Sequence, residues 1–168
     1  MSTTQHEQTA RFNAIVGGGL EPVRRYLLRR TDPSTADDVL ADVLLVTWRR
    51  IDDVPSEPLP WMFRVAANQL RNAKRGLRRQ ELVAARLADE QRGALDDSHG
   101  DAVRLALSSL RPPDAELLRL WAWEGLQPAD IAIVLRITPN AAAIRLHRAK
   151  ARLGTALEGQ LDSEKARR

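Results

Sequence analysis

Residues 127–153 read "QPADIAIVLRITPNAAAIRLHRAKARL". Pro128 and Pro139 each suit the first turn of a helix, where a missing N–H breaks no bond. Thr138, one residue before Pro139, is a residue type that caps a helix start. Ile131 and Leu135 recur at helical spacing, Ala132 is small enough for a second helix to cross closely, and Ile137 fills the corner. Ala142, Leu146, Ala149 and Leu153 then continue one apolar stripe. Two short helices joined by such a corner form a helix-turn-helix. The face opposite the stripe carries Asn140, Ile144, His147 and Arg148, with Arg145 and Arg152 on one flank and Lys150 on the other. Arginines beside a helix N-terminus are what phosphate contacts need. The competing reading, an amphipathic helix with solvated arginines, is the weaker one for this spacing. Arg136 stands where a turn needing positive φ favours glycine, at a cost of about 1 kcal/mol.

Two helices at a steep angle cannot bury both stripes alone, so upstream segments must complete the bundle. "AVRLALSSL" (102–110) reads as one helix. Pro112-Pro113 stops it, and Pro113 starts "PDAELLRLWAW" (113–123), which ends before Gly125. Further upstream, residues 9–16 have a helical pattern that halts at Gly17-Gly18-Gly19, expected as a hinge or sharp turn. A second helix is expected over Glu21–Arg30, with Pro22 in its first turn. A third follows "TDPST" (31–35), capped by Ser34 or Thr35, and carries Val39, Leu40, Val43, Leu44, Val46 and Trp48. "VPSEPLP" (54–60) reads as a loop, and a long helix is expected from Pro60. That helix extends through "ELVAARLADEQR" (81–92), before a linker in 93–101.

No segment alternates like a strand and none repeats. The expected fold is all-α: two small helical domains of four helices each, joined by a flexible linker. The boundaries are 1–80, an acidic connector 81–100, a helix-turn-helix domain 101–157, and a short tail 158–168.

Charge follows the same division. Of 26 basic and 22 acidic residues, 13 and 9 lie in 1–80, 2 and 5 in 81–100, and 11 and 8 in 101–168. Two basic lobes suit a polyanion partner, although basic lobes alone would also fit a solvated surface. The seven aromatic residues are too few to build the cores, which therefore rest on Leu, Val, Ile and Ala. Cysteine is absent, which removes disulfides, thiol catalysis and Cys-based zinc sites, and the three histidines are scattered. No metal or cofactor is expected. Paired aspartates at 37/38, 52/53 and 96/97 point apart on a helix and have no acid–base partner, so no catalytic site and no enzyme activity is expected. With neither a signal peptide nor a membrane span in sight, the expected location is cytoplasmic.

The first lobe offers two further faces. Asp38, Asp42, Leu45 and Arg49 share one stripe of the third helix, suited to a basic partner surface. By itself, solvation with dipole compensation explains that stripe better. Residues 64–80 contain six basic side chains and no acidic one. Arg64, Asn68, Arg71 and Arg75 recur at helical spacing after Trp61. This provides phosphate contacts, an amide for a base edge and an aromatic plate for stacking. For Trp61 alone, core packing is the better reading.

Taken in order, "DDVLADVLLVTWRR", "WMFRVAANQLRNAKR", an acidic linker and the run from Leu107 to Leu153 resemble the extracytoplasmic-function (ECF) sigma factors. These small members of the sigma-70 family keep only the regions called sigma-2 and sigma-4. The resemblance covers roughly residues 10–157. It implies that Asp38, Asp42, Leu45, Trp48 and Arg49 dock on the β′ clamp helices of core RNA polymerase. It implies that Trp61, Arg64, Asn68, Arg71 and Arg75, with the loop Pro55–Pro60, melt and read the −10 element as single strand. Thr138, Asn140, Ala141, Ile144, Arg145, His147 and Arg148 would read the −35 duplex, and the sigma-4 core would lie against the β flap. An anti-sigma factor is an expected partner; a membrane is not. The chain departs from the family pattern in a short, proline-rich loop before Trp61, in Arg136, and in Asn140–Ile144, where the reading helix is usually polar.

The length of the connector agrees with a two-point reader. Residues 81–100, if extended, reach about 65–70 Å, close to two turns of duplex at about 34–36 Å each. The leading alternative is a stand-alone helix-turn-helix repressor or activator. Such proteins usually dimerise on a palindrome, whereas this chain has two unlike lobes and no heptad seam. An adaptor acting through the Asp38–Arg49 stripe would leave both nucleic-acid faces unexplained.

Overall fold

The structure is a computed structural model describing residues 3–84 and 101–165. Most of the expected linker, residues 85–100, lies outside the described residues. Among those described there are seven α-helices, one short 3-10 turn and no strand. The chain divides into two compact units, Met1–Leu95 and Asp96–Arg168. The all-α, two-unit expectation holds.

In the first unit, α1 spans Thr3–Leu28, α2 Pro33–Arg49 and α3 Pro58–Ala84, with the 3-10 turn at Ile51–Asp53. The expected hinge at the glycines is absent: α1 runs straight through them, and its two anticipated helices are one. Each glycine costs a helix about 1 kcal/mol relative to alanine. Burial on both sides of the triplet, by Ile15 before it and Val23, Tyr26 and Leu27 after it, offsets that cost. Gly19 also has a packing reason. A Cβ there would overlap Sδ of Met62 on α3 and lie 2.9 Å from its Cε.

The cap of α2 is Asp32, not Ser34 or Thr35. Asp32 Oδ1 accepts the Thr35 amide at 2.9 Å, and Pro33 takes the first helical position. This hydrogen bond, foremost, holds the Asp32 carboxyl below its ordinary pKa. Ala36, Val39, Leu40 and Val43 form the buried face of α2. The buried Thr47 hydroxyl is satisfied by donating to the Val43 carbonyl at 2.8 Å. Across the core, Tyr26 of α1 packs on Phe63 of α3, ring centroids 5.3 Å apart.

The proline-rich segment is a shorter loop than expected. Only residues 54–57 are non-helical, because Pro58 and Pro60 fall in the first turn of α3, where no amide is required. Arg11 of α1 fixes that loop by donating from Nη2 to the Val54 carbonyl at 2.7 Å.

The second unit holds α4 (Asp101–Ser109), α5 (Pro112–Ala122), α6 (Pro128–Leu135) and α7 (Pro139–Lys165). The α5 helix begins one residue earlier than anticipated, with both prolines in its first turn. Beyond its end, Gly125 takes a φ of 68°. The α7 helix continues through the segment expected as a tail, as far as Lys165. It packs on α4, α5 and α6. Leu117, Leu118, Leu120, Ile131, Ala132 and Val134 meet Ala142, Leu146 and Ala149 in the core.

Candidate nucleic-acid interface

The α6–α7 pair is set by three local devices. Gln127 and Asp130 form a reciprocal capping box at the start of α6, with the Gln127 amide donating to Asp130 Oδ2 at 3.4 Å. Arg136 ends α6 in the left-handed region, φ 58° and ψ 45°, the conformation anticipated for a glycine-like turn. Thr138 Oγ1 accepts the Ala141 amide at 3.1 Å and caps α7. The Ile137 amide donates back to the Ala132 carbonyl at 3.1 Å, closing the corner.

These devices fix the rotation of α7. Ala142, Leu146 and Ala149 are buried, while Asn140, Ala143, Ile144, Arg145, His147 and Arg148 are exposed. Ala141 is half-buried. Ile144 is 44% exposed, an apolar side chain presented to solvent among cations. An exposed surface of methyl groups flanked by arginines is chemically suited to thymine methyls and phosphates. Lys150 lies over the ring of Trp121 of α5, Nζ 3.5 Å from the centroid, which sets this cation apart from the exposed arginines of α7.

In the first unit, Asp38, Asp42, Leu45 and Arg49 are all exposed along α2. Leu45 is 45% exposed, so the stripe has an uncovered apolar centre between charges. Trp48 is half-buried and packs edge-on against Phe12 of α1, centroids 5.2 Å apart. It buttresses the stripe from behind. On α3, Arg71 and Arg75 are exposed and Arg64 and Asn68 half-buried. Asn68 Oδ1 accepts from Arg71 Nη1 at 3.4 Å. Trp61 corrects one expectation. At 3% exposed, its ring is core and offers no open face for a base to stack on.

Two residues escaped the sequence reading. Arg11 holds the loop before α3, which no local pattern signals. Asp114, in the first turn of α5, is buried and pairs with both Arg111 and Arg152. Only the placement of α7 against α5 reveals the second of these pairs.

Comparison with known proteins completes the picture. A family model described as "Sigma-70, region 4" matches residues 100–153, the span of α4 through most of α7. The ECF RNA polymerase sigma factor SigL of Mycobacterium tuberculosis is 32% identical over 137 residues, covering 73% of this chain and 75% of SigL. This chain belongs to the ECF sigma factors. The RNA polymerase sigma factor CnrH of Cupriavidus metallidurans is 28% identical over 162 residues, covering 86% of this sigma factor and 82% of CnrH. The structure of CnrH in complex with the cytosolic domain of CnrY matches with a TM-score of 0.55 at 25% identity, over 89% of this chain and 87% of that one. A sigma factor RpoE, solved with the anti-sigma factor NepR from Bartonella quintana, shares the fold: TM-score 0.58, 18% identity, 94% and 98% covered. Sigma factors are non-catalytic regulatory subunits concerned with transcription initiation. No described helix is long and apolar enough to cross a membrane.

Proposed function

We propose that this ECF sigma factor binds core RNA polymerase in the cytoplasm and directs it to promoters carrying two separated elements. The α2 stripe of Asp38, Asp42, Leu45 and Arg49, braced by Trp48, docks on the β′ clamp helices. The sigma-4 core lies against the β flap. Arg64, Asn68, Arg71 and Arg75 on α3, with the loop held by Arg11, engage the −10 element as it melts. That loop holds a flipped base of the melted strand, and its contacts must return the unstacking cost of a few kcal/mol. The −35 duplex is read by α7 through Asn140, Ala141, Ile144, Arg145, His147 and Arg148, with Thr138 fixing the start of the helix. The observation that carries this reading is the split of α7 into a buried Ala142–Leu146–Ala149 stripe and an exposed cationic face.

The solved complexes of CnrH with the cytosolic domain of CnrY and of RpoE with the anti-sigma factor NepR support regulation of this chain by a protein partner, an anti-sigma factor of its own. Footprinting tests the assignment. With core polymerase, the wild-type chain protects both promoter elements, and R148A loses protection at −35 first. Equal protection by R148A and wild type would remove α7 from the reading role.

A further inference from the structure

Beside the reading face of α7, a cleft of about 330 Å³ opens against the first turn of α5. Arg111, Arg145, Arg148 and Arg152 line it over Leu117, and Asp114 lies among them. Four arginines therefore line a cleft that holds one carboxylate. Arg145, Arg148 and Arg152 recur at i, i+3 and i+7, so one face of α7 supplies all three.

The carboxylate divides the arginines into two classes. The Asp114 side chain is only 8% exposed, and its Oδ2 accepts from Arg152 Nη1 and from Arg111, the latter at 3.4 Å. Asp114 also lies in the first turn of α5, where a negative charge offsets the helix dipole. Arg145 and Arg148 are exposed and have no ion-pair partner among the described residues. An anion entering the cleft meets repulsion from Asp114 at depth and two uncommitted guanidinium groups at the rim.

We propose that this cleft seats one phosphodiester of duplex DNA on Arg145 and Arg148, while Asp114, by holding Arg111 and Arg152, limits how many phosphates the face grips. Asp114 is thus a specificity-determining residue that never touches DNA. Phosphate contacts strengthen binding to every sequence alike, whereas base contacts discriminate. Withdrawing two arginines from the phosphate-gripping set lowers the sequence-independent background against which α7 reads. The inference rests on the DNA-reading role of α7 and deepens it.

The test is the salt dependence of binding, measured by fluorescence anisotropy with the full chain on a labelled duplex of unrelated sequence and on a promoter duplex. Each phosphate contact contributes about 0.9 to the slope of log K against log salt. R145A and R148A each make the slope shallower by about that amount, which is about a three- to fourfold smaller loss of affinity between 50 and 200 mM salt. D114N frees Arg111 and Arg152, steepens the slope by up to about 1.8, and narrows the ratio of promoter to unrelated binding. R152Q changes the slope far less than R145A does. Circular dichroism melts accompany every variant. If D114N does not fold, R152Q against R145A decides. A D114N chain that only melts earlier and binds less at every salt, with an unchanged slope, makes Asp114 a mere packing residue and overturns the proposal. So does an R152Q slope as shallow as that of R145A. Wild-type protein that binds neither duplex removes the DNA-reading role itself, a different failure from bound DNA with invariant slopes.

Discussion

Met62 of α3 occupies the space that any side chain on Gly19 of α1 would need. A Cβ on Gly19 would overlap its Sδ and lie 2.9 Å from its Cε, whereas Gly17 and Gly18 have nothing within 4 Å. Met62 is fully buried, and its flexible thioether end is what must move to admit a Cβ. The three glycines therefore respond differently to alanine. G17A and G18A each stabilise the first unit by roughly 0.5–1 kcal/mol, because a helix interior favours alanine. G19A instead forces the flexible end of the Met62 side chain to move, so it stabilises less than G17A or G18A. Urea unfolding of the three variants checks the order.

Arg136 carries the mirror-image expectation. Its φ of 58° is the only positive value among non-glycine residues described. R136G relieves the left-handed penalty and raises the stability of the second unit by about 1 kcal/mol. Its thermal melt rises while the α6–α7 corner keeps its geometry. An R136A chain no less stable than R136G would show that the residue is not strained there.

Asp32 ties stability to acid pH. Its carboxylate accepts the Thr35 amide at the start of α2, and that bond, foremost, lowers its pKa from the ordinary 3.8. A carboxyl whose folded pKa is depressed contributes stability that is complete above the unfolded value and lost as pH falls through the folded one. D32A therefore melts earlier than wild type at neutral pH, and the gap closes below about pH 3.8. Thermal melts at neutral and at acid pH measure it. A gap that is constant across that range contradicts the capping role.

These cases show what the sequence could and could not convey. Periodicity was enough to place α2, α5, α6 and α7 and to separate the buried stripe of α7 from its exposed face, because both follow from one helix rotation. It failed at Gly17–Gly19, where propensity argued for a break and tertiary packing of Ile15, Val23 and Leu27 carried the helix through. It placed the start of α3 at Pro60, two residues late, since a proline that breaks a helix interior is harmless in a first turn and Pro58 opens the helix. Trp61 taken alone reads as core and is core, whereas the −10 stacking role that the resemblance implies finds no exposed ring. Asp114 was not legible at all: its partner Arg152 lies 38 residues away, and no local pattern encodes that meeting.

On the proposed role of α7 at the −35 element, its composition predicts an unusual mode of reading. Ala141, Ala143 and Ile144 stand where bidentate hydrogen-bonding side chains would discriminate G·C from A·T. Recognition then depends on methyl contacts, groove shape and phosphates. Systematic base substitution across the −35 element gives a graded fall in binding as A·T pairs are replaced. A sharp loss confined to one G·C pair, abolished by R148A, would contradict this.

On the proposed function, this chain confers promoter specificity on core RNA polymerase through both of its units. Run-off transcription tests it directly. Purified chain added to core enzyme yields transcripts from defined start sites, and D42R abolishes them while the DNA affinity of the second unit is retained. Failure to associate with core enzyme, or transcripts that persist undiminished with D42R, would contradict the account.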